Sequence, residues 1–201
     1  MRDLPRLLRA LLLAADKPLQ PELVVSLISD AVDEEEWPER LNAAAVEVAL
    51  EVLAAEHDRA SGLELTRVAG GWRFRTAPDL APLVRRLWPS RAIRLSKAAL
   101  EALSVVAYRQ PCTRLEVEDV RGVDCGGVLK SLLERKLVRV VGRKDEPGRP
   151  LLYGSTPTFL ETFSLPDLRS LPTLRDLESM RAEEVAREKG VIPEPEAEPA
   201  T

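Results

Sequence analysis

Apolar residues recur along the start of the chain with the spacing of one helix face. Leu4, Leu7, Leu8, Leu11, Leu12 and Ala15 fall at i, i+3, i+4, i+7, i+8 and i+11, which predicts a helix ending before Pro18. "PELVVSLISD" opens on Pro21, a residue tolerated in a first helical turn, and predicts a short second helix. The acidic loop "DEEEWP" follows, and residues 39–57 read as a long helix rich in alanine and leucine. In "SGLELTRVAGGWRFRTAP" two β-prone runs flank Gly70-Gly71, a β-hairpin signature. "PDLAPLVRRLW" predicts a closing helix that ends near Pro89.

The order then repeats. A helix from Ser96 to Tyr108 carries Ala99, Leu103 and Val106 on one face, with Ser96 placed as its N-cap. The next begins at "TRLE" after Pro111, where Thr113 and Glu116 have the spacing of a capping box. A third helix over about Val128–Lys136 has the stripe Val128, Leu129, Leu132 and Leu133, after which "LVRVVGR" turns β-branched. "GRKDEPGRPLLYGST" joins two strands: Gly148 supplies positive φ, Pro147 restricts φ just before it, and the charges stay in water at a hairpin tip.

Three helices followed by a two-stranded wing, stated twice, predict a mainly α fold with small β-wings, an α+β chain of tandem winged-helix domains. The boundaries are 1–90, 91–165 and a C-terminal extension over 166–201. Winged helices often read DNA through the third helix, yet "LNAAAVEVALEVLAAE" has no Lys or Arg and carries Glu47, Glu51 and Glu56. Its apolar residues cover more than the roughly 100° arc that one core face needs, which predicts a second buried contact. Val46, Val48, Leu50, Val52 and Leu53 are the candidate dimerisation residues. Exposed alanine, an excellent helix former, is the plainer explanation for part of that surplus.

Composition narrows the function classes. The chain has 201 residues, 45% hydrophobic and 31% charged, enough for one or two small domains with real cores. Cys112 and Cys125 cannot build a disulfide framework or the paired CxxC of a structural zinc site, which points to a reducing, cytoplasmic compartment. The run Ala10–Ala15 is too short for a signal-peptide core, and nothing approaches the roughly 18 apolar residues of a membrane span. Gly122 and Gly127 have a phosphate-loop interval, but Val128 and Leu129 stand at the Lys and Ser/Thr positions. His57, between Glu56 and Asp58, fits a surface or helix-end role, and Asp145 and Glu146 fit a solvated turn. With no nucleophile elbow, His pair or Cys-His arrangement, the sequence predicts a protein without catalytic residues, metal or cofactor.

Net charge is −4 but unevenly spread: −4 over residues 1–90, +4 over 91–165 and −4 over 166–201. The basic middle, with Lys130, Arg135 and Lys136 near the third helix and Arg143, Lys144 and Arg149 in the wing, keeps a DNA-binding transcription regulator as the alternative. Few base-reading side chains accompany those cations, so weak, non-specific contact with backbone phosphate is the expectation.

Residues 95–172 resemble the segregation and condensation protein B family, ScpB, of the bacterial condensin complex. The blocks "EALSVVAYRQP", "RGV", "LLER", "PGRPLLYGST" and "FLETFSL" stand in that family's order and spacing. Ser155 and Ser164 occupy positions where the family more often has Thr and Gly. The first domain resembles the family in pattern only. The resemblance implies tandem winged helices, dimerisation largely through the N-terminal domain, and an embrace of the kleisin ScpA, which closes the ring of the SMC ATPase. It also implies no catalytic activity and a cytoplasmic, nucleoid-associated place in chromosome segregation and cell division.

Tyr108, Arg109, Gln110, Arg121 and Tyr153 are the candidate kleisin contacts, since Tyr and Arg join apolar area to directional hydrogen bonds. Tyr108 and Tyr153 are equally open to internal roles, one ending a helix in the core and the other stacking along the wing. "LPTLRDLESMRAEEVAREKG" has the spacing of a short helix through Leu174, Leu177 and Met180. "VIPEPEAEPAT" is too proline-rich and acidic to bury a core; it reads as a disordered arm, for docking or only for solubility.

Overall fold

The computed structural model describes residues 3–31, 41–56, 61–87 and 95–188. The "DEEEWP" loop, His57 and the "VIPEPEAEPAT" arm lie outside the described residues. Internal contacts divide the chain into residues 1–168 and 169–201.

In the larger unit, α1 (Leu4–Ala14), α2 (Pro21–Ala31) and α3 (Ala43–Glu56) pack with the hairpin β1 (Leu63–Val68) and β2 (Gly71–Thr76). The Asp3 carboxylate accepts from Arg6 N–H at 3.2 Å and caps α1, and Asn42 does the same for α3 at 2.8 Å from Ala45 N–H. The expected face of α1 is the buried one: Leu8 and Leu12 enter a core with Val24, Ile28, Val46, Leu50, Leu53, Leu65 and Trp72, while Leu4, Leu7, Leu11 and Ala15 pack at its edge.

The hairpin reverses one residue earlier than its glycine pair implies. Ala69 and Gly70 hold φ of 51° and 77°, the mirror-type turn that follows strand twist, whereas Gly71 is already in β2. Gly71 is needed for space: a Cβ there would meet the Leu19 backbone at 2.9 Å. That close approach lets Leu19 and Trp72 exchange two 2.8 Å main-chain hydrogen bonds, which fasten the α1–α2 connection to β2. Glu47 ties α3 to the same hairpin, accepting from Trp72 Nε1 at 3.0 Å and pairing with Arg67, itself over the Trp72 ring. The closing helix is shorter than expected, α4 (Ala81–Val84) continued by a 3-10 turn over Arg85–Leu87.

Downstream, α5 (Lys97–Arg109), α6 (Arg114–Arg121) and α7 (Gly126–Glu134) surround a second set of buried residues, among them Leu103, Val106, Val117, Leu129 and Leu132. Ser96 caps α5, and Thr113 and Glu116 make the reciprocal capping box on α6. Gly122 ends α6 in the left-handed region at φ 70°. The third helix starts and stops earlier than the pattern implies; Lys136 already has φ 59°. β4 (Val138–Arg143) and β5 (Leu151–Ser155) form the expected hairpin, with Gly148 at φ 84° in its tip. β3 (Cys112–Thr113), too short for any periodicity to show, adds a third strand in the order β3-β5-β4.

One further helix was not expected. Thr156 caps α8 (Pro157–Phe163) by accepting from Phe159 N–H at 3.1 Å, and Phe159 is buried against the Phe163 ring. The chain after α8 returns to the first hairpin, where Ala69 N–H and Gly70 N–H donate to the Leu165 and Pro166 carbonyls at 2.9 Å. In the smaller unit, α9 (Leu174–Glu188) is longer than the three-residue stripe implies, and Thr173 and Asp176 cap its start reciprocally. Leu177 and Met180 are exposed on it.

Candidate partner-binding site

The end of α5 carries three of the five candidate contacts, Tyr108, Arg109 and Gln110. Tyr108 is 53% exposed and Arg109 is exposed beside it. Seven residues before Tyr108, about 20° away around a 3.6-residue helix, lies exposed Glu101. Its carboxylate takes the Arg121 guanidinium at 3.3 Å, so the last turn of α6 reaches the α5 face that presents Tyr108. Arg121 is unlike a surface cation: its side chain is 7% exposed, and its Nε and Nη1 are buried without a hydrogen-bond partner. Glu101 is the residue that sequence reasoning passed over; a lone acid on the solvent side of α5 was its only signal.

Gln110 works inside the fold. Its Oε1 accepts from Ser155 N–H at 2.7 Å, and its Nε2 donates to the Ala107 carbonyl at 3.1 Å and to Ser155 Oγ at 3.0 Å. Gly154 makes room for that amide, since a Cβ there would stand 3.0 Å from Gln110 Oε1 and 2.9 Å from Val141 Cγ1. The "YRQP" and "YGST" blocks, 45 residues apart at Gln110 and Ser155, are therefore one hydrogen-bonded unit. Tyr153 is buried, facing Cys112 across one strand and Val140 across the other. Of its two readings, the internal one describes its position. The structure thus sets Tyr108 and the Glu101–Arg121 pair along one side of α5, leaves Arg109 exposed about 100° further round, and turns Gln110 and Tyr153 inward.

The dimerisation candidates also divide. Val46, Leu50 and Leu53 belong to the chain's own core, at 0%, 0% and 1% exposure, which removes them as surface positions. Helical pitch decides this, because they share one side of α3 whereas Val48 and Val52 point the opposite way. Those two are 58% and 51% exposed and continue a line through Ala45 and Ala55, spaced i, i+3, i+7 and i+10.

In the basic middle segment, Arg114, Arg121 and Lys144 are paired with acids of the same segment. Lys144 donates to Glu146 at 2.8 Å and Glu116 at 2.9 Å, and these two bonds push its pKa up. The Lys144 bond, then the Thr113 N–H, hold the Glu116 carboxyl below the usual range, while the Cys125 N–H and then Arg114 do so for Glu118. Burial, with Glu116 beside one and Glu118 beside the other, pushes the Cys112 and Cys125 thiols up, away from a reactive thiolate. Among the described residues no His/Cys/Asp/Glu group could hold a metal, and no helix is long and apolar enough to cross a membrane.

A depressed glutamate pKa contributes stability that is present above its ordinary value and lost as pH falls through the folded one; the raised lysine value loses its contribution only at high pH. The thermal midpoint is therefore expected to stay level between about pH 6 and 9 and fall below about pH 4.5. Glu116→Gln should lower the midpoint modestly at pH 7 and flatten the acid limb, as circular dichroism melts across pH would record. Both partners are more than a third exposed, which keeps the effect small.

Comparison with known proteins agrees with the sequence blocks. The family described as segregation and condensation complex subunit ScpB matches residues 6–174. A Syntrophotalea carbinolica protein named segregation and condensation protein B is 47% identical over 166 residues, 83% of this chain and 79% of its own length. Its namesake in Desulforamulus reducens is 40% identical over 162 residues, 80% of this chain and 83% of that one. The Myxococcus xanthus namesake is 53% identical over 121 residues, 60% of this chain, and the match spans 37% of that longer protein. The chain belongs to the family of segregation and condensation complex subunit ScpB.

Proposed function

We propose that the chain is a non-catalytic adaptor of two winged-helix domains, 1–90 and 91–165, that pairs through the first and holds the kleisin ScpA with the second and the chain after it. Family membership supports a part in a segregation and condensation complex. Through ScpA the adaptor joins SMC, and with it the nucleoid in the cytoplasm. The observation that carries the reading is α3, apolar on two opposite sides. One side fills the domain's own core; the other, at Ala45, Val48, Val52 and Ala55, remains exposed.

Tyr108, Arg109 and Glu101, with Arg121 buried behind Glu101, offer the second domain a mixed aromatic and charged surface of the kind that anchors partner segments. DNA reading has less support. The exposed residues of α7 are Gly127, Lys130 and Glu134, a poor set for base edges, and the Lys144 charge is committed to two glutamates. Mixing the purified chain with ScpA and weighing the product should give a defined complex containing paired copies of this chain. Two separate species at micromolar concentration, or selection of one tight DNA motif by this chain alone, would overturn the adaptor reading.

A further inference from the structure

The short helix that follows the first hairpin carries an apolar line of its own. Leu80, Leu83 and Leu87 stand at i, i+3 and i+7 along α4 and its 3-10 turn, and they are 39%, 65% and 68% exposed. Single leucines on a surface are ordinary, but three in one line, two of them mostly in water, mark a contact surface. The line is fixed at the open end of the hairpin. Ala77 N–H donates to the Gly62 carbonyl at 3.0 Å, and Leu80 lies against Gly62, where a Cβ would stand 3.0 Å from its Cδ1.

A cation stands beside this line. Arg86, three residues after Leu83, stays on the leucine side whether the turn has α or 3-10 pitch, while Arg85, two residues after Leu83, falls on the other side. Both arginines are exposed, and neither makes an ion pair or hydrogen bond among the described residues.

The outer side of α3 has the matching chemistry. Ala45, Val48 and Val52 repeat the i, i+3, i+7 spacing, with small and medium side chains where the other line has leucine, so the two lines can interleave. Among the glutamates of α3, Glu47 is held by Arg67 and Trp72, and Glu56 by Arg9. Glu51 is exposed and has no partner among the described residues. It stands three residues after Val48, the place that Arg86 holds after Leu83. One domain therefore presents a leucine line with a free cation and an alanine and valine line with a free acid.

From this match we infer that the leucine line is covered by the outer side of α3 from a second copy of the chain, with Arg86 of each copy against the partner's Glu51. The inference rests on the pairing proposed through α3 and names the surface opposite it. A two-fold pairing makes the contact twice, so each charge and each leucine acts at two places in the pair. A nucleic-acid backbone would meet the arginines but leave the leucines in water. Sedimentation of the full-length chain over a concentration series, at about 0.15 M salt, reads the pairing directly.

Arg86→Glu and Glu51→Arg should each raise the dissociation constant by about tenfold or more, through two like-charge contacts per pair, and combining them should bring it back to within about threefold of the parent. Arg85→Glu makes the same charge change on the other side and should stay within about threefold. Leu83→Ser should weaken pairing by about tenfold or more and leave the monomer's thermal midpoint unchanged, because that side chain is already in water there. Misfolding cannot produce the restoration. No restoration, or an equal loss from Arg85→Glu, overturns the contact. If Val52→Arg separates the copies while the Leu83 and Arg86 variants pair like the parent, the α3 pairing stands and this inference fails. A parent that is monomeric at tens of micromolar removes the pairing itself. Weaker binding of ScpA by the Leu83 variant with pairing intact would give the leucine line to ScpA and also overturn the inference.

Discussion

If the chain pairs through α3 as proposed, Val52→Arg is expected to leave it monomeric without unfolding it. Val52 is half exposed on the outer line of α3, one turn from Val48, so the charge would sit in water in the monomer but within an apolar contact in the pair. Burying that cation unpaired and losing the valine contact on both copies should raise the dissociation constant by at least about a hundredfold. Sedimentation or light scattering over a concentration series would show it. Leu50→Ala is the matched control: two residues back, about 200° round the helix, that side chain lies fully in the core, and its truncation should cost about 2–5 kcal/mol of stability. If Val52→Arg still pairs like the parent, α3 is not the contact.

The second large effect separates Gln110 from Arg121, two candidates that the sequence grouped together. Gln110→Ala strips Ser155 N–H and Oγ of their amide partner at a buried position and cuts the tie between the end of α5 and β5. A loss of about 2–3 kcal/mol is expected in urea unfolding. Arg121→Met should behave in the opposite way. A guanidinium that is almost wholly buried, with two unpartnered nitrogens and one half-exposed acid, gains little from its charge, and an apolar isostere should leave stability unchanged or raise it by about 1 kcal/mol. If Arg121 serves ScpA, the same substitution should still weaken the complex in calorimetry. A destabilisation above about 2 kcal/mol would instead make Arg121 a structural residue.

Local spacing by itself determined most of the element order. The heptad-like leucines of α1, the caps at Ser96 and Thr113, and the hairpin glycine Gly148 each act through neighbours within a few residues, so their physics is complete in the local sequence. The signature blocks over 95–172 were legible for the same reason, as a contiguous string, and they led to the family.

What only the tertiary structure decided depends on distant partners. The two sides of α3 are equally apolar in sequence; which valines are spent on Leu8, Leu12 and Trp72 is settled by the packing of α1 and the hairpin. Strand β3 exists because Cys112 and Thr113 find Tyr153 and Leu152, and Gln110 is internal because Ser155 arrives beside it. The burial of Arg121 against Glu101, and the buried, unpartnered Thr66 hydroxyl across from Arg73, follow from how helices and strands are laid together. Spacing reports which side of an element is apolar or charged; only contact between elements determines which of those groups are left with work to do.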